Sequence, residues 1–378
     1  VLIVTLLFFF GIYYYLKDEP YRYNKIVFAS SLPKTGIMQE WGKAVEIGIK
    51  TYFNYANDNN LLGKRKLEFL TLDDKYEPTL TYENVEKLLT QKHPFAFLSF
   101  VGTPTVKAIM PLVESSQTPF IAPFTGAKFL RQDSFENVIN FRSSYKEEID
   151  VLIHYLHHQK KLNKFAVFYQ NDDYGEEGYI SLIQALNKRN LHLSAEGTYK
   201  RNTLSITHAF DEIKDAKPQA ILLVGAYKAN TLFIQKAKQH PNFKDTIFCV
   251  ISFGEANAMV KQLQNQTQNI IFSQVVPSYN NSDIEAILQY QTLMQRYYEH
   301  EPLGFISLEA FLVAKTVVQT LRTMSQPIKQ KEFLHAMKTL PSSSLKEIEI
   351  EYKNRQLLNQ VYLFEYKNNQ FIKINYEN

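Results

Sequence analysis

Two short turns carry the residues best suited to hold a solute. Gly102-Thr103-Pro104-Thr105 follows the apolar run 95–101, and Pro123-Phe124-Thr125-Gly126-Ala127 follows the apolar run 120–122. Read as strands, both runs end in a turn holding a glycine and a threonine, and a helix opens at about Pro104. In a parallel α/β sheet such turns share the carboxyl edge, where ligands bind. Backbone N–H groups left free at the helix start, with the Thr103 and Thr125 hydroxyls, would suit an anionic group such as a carboxylate. The same threonines would serve as ordinary helix N-caps, so the turns alone leave both readings open.

The sequence lacks the familiar catalytic patterns. It contains no Gly-x-Gly-x-x-Gly, Gly-x4-Gly-Lys-Ser/Thr, His-Glu-x-x-His or Gly-x-Ser-x-Gly. The nearest thing to a phosphate loop, Gly36 to Gly42-Lys43, has the wrong spacing and Ala44 where a hydroxyl is needed. His154 and His158 would share one helix face, a spacing that can hold a metal. That segment runs on into Gln159-Lys160-Lys161, as a solvated helix end does. The pairs Asp73-Asp74 and Asp172-Asp173 are adjacent residues that point different ways, which suits neither a metal nor two-carboxylate chemistry. The single cysteine, Cys249, lies in an apolar run and reads as core; alone, it permits no intramolecular disulfide. No enzyme activity, cofactor or metal is expected.

Both turns need a scaffold, and alternating strand and helix patterns supply one from Lys25 onward. Residues 26–29 form an apolar strand entering a turn-rich loop. The next helix carries Trp41, Ala44, Val45, Gly48, Ile49, Tyr52 and Phe53 at spacings of three and four. Residues 67–72 alternate as a strand, and a helix bears Tyr82, Val85, Leu88 and Leu89. Beyond 138–141 a second series begins, with helices at 145–158, 175–188, 205–213 and 230–238. Its strands fall at 165–169, 193–199, 220–224 and 246–251. Long helices at 284–298 and 307–324 precede three short strands at 348–352, 360–366 and 371–374. Repeated βα units mean parallel sheets with helices on both faces. The expected fold class is therefore α/β, with two doubly wound sheets.

Composition agrees. A chain of 378 residues has room for two core-bearing lobes. With 45% hydrophobic and 21% charged residues it is an ordinary globular chain. A net charge of +4 without a basic run argues against nucleic acid as a partner. Residues 1–16 are apolar and uncharged, and three tyrosines close the run as at a membrane interface. Residues 1–24 are expected to be an export signal retained as a membrane anchor, plus a linker.

An ordered set of motifs also resembles a known family. GTPT (102–105), PFTGAKFLR (123–131), FRSSYKEE (141–148), FAVFYQNDDYGEEG (165–178), LLVGAYKAN (222–230) and SQVVP (273–277) stand in the order found in type I periplasmic solute-binding proteins. The leucine/isoleucine/valine-binding branch, the substrate-binding subunits of ABC importers, is the most similar. The resemblance implies two discontinuous lobes joined by a hinge, with 25–142 plus 274–345 in lobe 1 and 143–273 plus 346–378 in lobe 2. It implies a periplasmic or otherwise extracytoplasmic protein that captures a small polar solute (an amino acid, related carboxylate or amide) and delivers it to an ABC permease. A sensory domain working with a membrane signalling partner is the alternative.

Carried over by resemblance, Thr103 and Thr125 fall on the hydroxyl positions that hold a carboxylate, and the Phe124 carbonyl where an ammonium is taken. Trp41 lines the pocket, Tyr174 and Tyr227 close over the ligand, and Phe305 matches a late aromatic. The acidic residue that pairs with the ammonium should fall in 250–254, where we place it at Ser252. Serine is not acidic, and Glu255 is the nearest substitute. The ligand is therefore expected to include acids or amides that lack the amine.

Overall fold

The computed structural model describes residues 25–376. The expected anchor, 1–24, lies outside the described residues. In chain order the strands and helices begin with β1 (Lys25–Leu32), α1 (Gln39–Asp58), β2 (Lys66–Asp73), α2 (Pro78–Gln91), β3 (Ala96–Leu98), α3 (Thr103–Ser116), β4 (Phe120–Ile121) and β5 (Val138–Ile139). There follow α4 (Tyr145–His154), β6 (Phe165–Gln170), α5 (Asp173–Asn187), β7 (Leu193–Tyr199), α6 (Thr207–Lys214), β8 (Ala220–Val224), α7 (Tyr227–Lys238) and β9 (Ile247–Val250). The chain ends with α8 (Ala256–Leu263), β10 (Ile270–Gln274), α9 (Glu285–Tyr297), α10 (Phe305–Thr323), α11 (Gln330–Lys338), β11 (Tyr362–Lys367) and β12 (Gln370–Ile374).

The first sheet has the order β2-β1-β3-β4-β5 and is parallel throughout. The second has the order β12-β11-β10-β9-β8-β6-β7, parallel from β7 to β10 and closed by the antiparallel β11–β12 hairpin. Each sheet reverses direction after its first two strands, which opens a crevice at the carboxyl ends. Strands buried on both faces read as unbroken apolar runs; β8, Ala-Ile-Leu-Leu-Val, is fully buried.

Local chemistry explains the helices that matter. In α1 the buried side chains Trp41, Val45, Ile49, Tyr52 and Phe53 form one stripe, which packs on the almost wholly buried α10. Gly48 allows that approach, since a Cβ there would lie 2.3 Å from the Ser307 carbonyl oxygen. A capping box opens α4: the Ser144 hydroxyl accepts from Glu147 N, and the Glu147 carboxylate accepts from Ser144 N at 2.7 Å. The helix then continues through a π turn, Tyr155–Gln159.

The chain passes between the lobes three times. After β5 it leaves the first sheet, and after β10 it returns to pack α9 and α10 on α1. The last passage runs beside the first, with Leu357 N donating to Asn140 O (3.1 Å) and Leu358 N to Phe141 O (2.7 Å). Two local expectations are corrected. Residues 348–352 form no strand; Ile348 makes only an isolated bridge to Leu345, and Ile350 N donates back to Ser342 O. The helix α11 was not foreseen, because Phe333 and Met337 are its only buried side chains. Among the described residues no helix is long and apolar enough to cross a membrane.

Candidate functional site

The two crevices face one another, and their turns meet. Gly102 ends the first turn at φ +102°, where a Cβ would sit 2.3 Å from the Tyr76 ring. Only glycine fits there. An isolated bridge joins Val101 to Phe124, and Gly102 N donates to the Phe124 carbonyl at 3.2 Å. This brings the Thr103 and Thr125 hydroxyls 2.7 Å apart, both fully buried. The expected threonine pair is therefore a physical unit. The Phe124 carbonyl, expected to take an ammonium, already accepts one bond.

Aromatic rings surround the pair. Trp41, in the first turn of α1, stacks on Phe253 with centroids 4.7 Å apart and meets Phe124 edge-on at 5.6 Å. From the second lobe, Tyr174 lies 4.6 Å from Phe253 and 5.4 Å from Tyr145. Tyr174 is fixed in the first turn of α5, where its N–H donates to the capping carboxylate of Asp172 at 3.0 Å. Tyr76 reaches in from the first lobe, 6.3 Å from Phe253. It sits at φ +63°, a strained conformation for a bulky residue.

The Tyr145 and Tyr174 hydroxyls are buried without hydrogen-bond partners. Tyr145 lies beside the threonine pair but lacks the geometry of a hydrogen bond to either. Burial pushes its pKa up to about 12, against the opposing pull of the Arg142 charge. Burial raises Tyr174 further, with the neighbouring Tyr145 and Tyr76 adding to the effect. Both phenols are thus neutral donors that lack an acceptor.

Three carboxylates near the rings, Glu309, Glu148 and Glu255, are engaged. Glu309 grips Arg142 bidentately, at 3.0 Å to Nε and 2.8 Å to Nη2, and both side chains are buried. Burial alone would lower the Arg142 pKa, but Glu309 outweighs it and the guanidinium stays charged. Its Nη1 has no partner, and its Cζ lies 5.4 Å from the Phe124 ring centroid and 5.7 Å from that of Trp41. Glu148 accepts from Ser252 N (2.8 Å), Ser252 Oγ (2.8 Å) and Ser273 Oγ (2.6 Å). Burial raises its pKa, and Arg142 and the three donors counter this. Glu255 caps α8 through Ala258 N.

Of the residues singled out in the sequence, Trp41, Thr103, Phe124, Thr125 and Tyr174 come together. Ser252 turns to Glu148 instead. Tyr227 is buried at the start of α7 with an unpartnered hydroxyl and lies close to Glu40 and Glu255, with no ring contact to the cluster among the described residues. Phe305 belongs to another cluster, 5.0 Å from Tyr279 and Phe371 and 5.2 Å from Phe364. Sequence reasoning missed Tyr76, Arg142, Tyr145, Glu148 and Phe253. Tyr145 stood in the FRSSYKEE motif, and Phe253 is the sole aromatic of 250–254. The partners of Glu148 lie more than a hundred residues away, so no local signal marks it.

Contacts across the crevice hold the lobes together. Lys107 pairs with Asp173 at 2.5 Å, and Glu77 binds Arg201 (3.0 Å) and Asn202 (2.6 Å). Among the described residues no group of three or more His, Cys, Asp or Glu side chains is arranged to hold a metal. His154 and His158 pack ring to ring, 4.5 Å apart.

The periplasmic binding protein family model matches residues 25–370. No curated protein matches the chain. Among solved structures, a "possible leucine/isoleucine/valine-binding protein" from Rhodopirellula baltica SH 1 is 28% identical, with a TM-score of 0.87 over 93% of this chain and 96% of that one. A leucine-binding protein from Thermotoga maritima MSB8 is 14% identical (TM-score 0.80; 93% and 98% covered). A fatty acid ABC transporter substrate-binding protein from Thermomonospora curvata is 15% identical (TM-score 0.83; 93% and 91% covered). The last two speak for the fold alone. With its two facing sheets and near-complete match, this chain belongs to the periplasmic binding protein family, in the type I, leucine/isoleucine/valine-binding-like branch.

Proposed function

We propose that the protein captures a small carboxylate lacking an α-amine between its lobes, outside the cytoplasm, and delivers it to an ABC permease. One observation carries the ligand class: buried donors converge without acceptors, while Glu148, Glu255 and Glu309 beside them are already bonded. The Tyr145 and Tyr174 hydroxyls and Arg142 Nη1 lack partners, and the threonine hydroxyls lie beside them. A carboxylate would supply the missing acceptors. An ammonium would find Glu148, Glu255 and Glu309 all committed.

Closure would follow from hinge motion about the passages near Arg142, Gln274 and Gln356–Leu358, with residues 1–24 holding the protein at the membrane. No bond is made or broken in this reading; the lobes bury the solute and present a joint surface to the permease. The fold does not decide the ligand, since its bearers include binders of leucine and of fatty acid. The test is a thermal-shift screen of the full chain against amino acids, their deaminated acids, amides and aromatic acids. A ligand held only by the native state must raise the melting temperature. The reading expects a rise with amine-free acids, lost in Thr103→Ala. A response confined to amides or amino acids would contradict it.

A further inference from the structure

We propose that Arg201 is a latch that holds the two lobes closed before any solute arrives, joining Glu77 of one lobe to Asp172 of the other. The inference concerns the unliganded protein and stands whichever solute the slot takes.

Glu77 follows β2, an edge strand of the first sheet, and Arg201 follows β7, an edge strand of the second. In each sheet that edge lies opposite the strands that carry the chain between lobes, β5 in the first and the β11–β12 hairpin in the second. Hinge opening separates those far edges most, so a contact there resists it with a long arm.

The contact is a bridge rather than a simple pair. Arg201 Nη2 donates to Glu77 Oε2 at 3.0 Å, and its Nη1 lies 3.5 Å from Asp172 Oδ2. The neighbouring Asn202 donates to the other Glu77 oxygen at 2.6 Å. Both carboxylate oxygens of Glu77 are thus bound from the second lobe. Asp172 carries the bridge inward. Its Oδ1 accepts from Tyr174 N at 3.0 Å, and its Oδ2 from Gln170 Nε2 at 2.7 Å. Gln170 Nε2 also lies 3.4 Å from the Tyr76 hydroxyl, across the crevice. One guanidinium therefore spans the crevice and leans on the cap of α5, whose first turn sets Tyr174 against Phe253. The forked donors of arginine suit two carboxylates at once, which a lysine ammonium does not.

Lys107 and Asp173 form a second, separate pair across the crevice at 2.5 Å. The Glu77 side chain is 42% exposed and that of Arg201 24%. Salt therefore screens the bridge, and losing it changes the closed-to-open ratio by about two- to fivefold.

The experiment follows acrylamide quenching of Trp41 in the full chain without solute. Trp41 is the only tryptophan and is fully buried where the lobes meet. Acrylamide is neutral, so salt acts on the latch and not on the quencher. Wild type should quench weakly at low salt and more strongly toward about 1 M NaCl, where screening acts beyond roughly 3 Å. Arg201→Gln and Glu77→Gln should raise the open fraction about two- to fivefold at low salt. In both, the response to salt should shrink to the share of the Lys107–Asp173 pair. Arg201→Lys should fall between wild type and Arg201→Gln. The exchange Glu77→Arg with Arg201→Glu should stay open, because it sets a carboxylate against Asp172. If Arg201→Gln fails to melt cooperatively, Glu77→Gln, at an exposed side chain, carries the same test. Equal quenching in wild type and both glutamine variants would overturn the latch. So would a wild type quenched at low salt as freely as the unfolded chain. Full recovery in the exchange would overturn the bridge to Asp172. None of these readouts involves a ligand, so their failure leaves the carboxylate reading untouched.

Discussion

The indole nitrogen of Trp41 donates to the carbonyl of Phe253 at 3.2 Å, and the two rings stack 4.7 Å apart, although 212 residues separate them. Trp41 belongs to the first lobe and Phe253 to the second. This pair is therefore made only when the lobes meet, and any solute entering the slot must share the space with it. Closure and recognition converge on one contact.

Replacing Trp41 by Phe removes the hydrogen bond and keeps most of the ring. A neutral hydrogen bond contributes about 0.5–1.5 kcal/mol. The closed-to-open ratio should fall by about two- to tenfold, with a loss of apparent affinity of up to the same factor. Small-angle scattering of the unliganded protein should report a larger radius of gyration.

Tyr145→Phe and Tyr174→Phe separate stability from binding. Each hydroxyl is buried without a partner, so its deletion should leave the unliganded melting temperature unchanged or slightly higher. Affinity for a carboxylate should nevertheless drop by about 10- to 100-fold, the worth of one lost charge-assisted hydrogen bond. Paired thermal melts and titrations check this.

Arg142 and Glu309 form a buried ion pair at the edge of the slot. Glu309→Gln strands the guanidinium, which should cost about 3–5 kcal/mol of stability. Replacing both residues with apolar side chains of similar size should recover most of that loss. Chemical denaturation of the single and double variants tests the coupling.

Burial, with Glu40 of the other lobe adding to it, pushes the Glu255 pKa from 4.5 up to about 7. A carboxyl whose pKa is raised in the folded, closed form holds its proton there longer than in the unfolded chain. Glu255 thus favours the folded form at low pH, and that contribution is lost as pH rises from about 4.5 to about 7. Tyr227 and Tyr279 also face this group, and neither ionises in the range. Melting temperature should fall across that interval by less in Glu255→Gln than in wild type.

The alternation of strands and helices was legible because buried parallel strands are unbroken apolar runs and α1 carries one clean stripe. Thr103 and Thr125 were legible because each sits at a strand end beside a glycine. Phe253 was not, since a phenylalanine after an apolar strand looks like core until the opposite lobe is seen to meet it. Tyr76 gave no signal because its left-handed backbone is imposed by the Asp74 carboxylate, which accepts from Tyr76 N at 2.9 Å. The tie between Ser252 and Glu148 gave no signal for a similar reason: Glu148 arrives from α4, far back in the chain. Residues 348–352 look like a strand by composition, but the sheet edge is already taken by β11 and β12.

Trp41 is the only tryptophan in the chain, so its fluorescence reports on the slot alone. The most direct test is a fluorescence titration of the full chain with 3-phenylpropanoate and 4-methylpentanoate, repeated in Thr103→Ala. A saturable change in Trp41 emission at the same midpoint as the thermal shift, abolished in Thr103→Ala, is the predicted result. A ligand that raises the melting temperature while Trp41 emission stays constant would contradict it and put binding elsewhere.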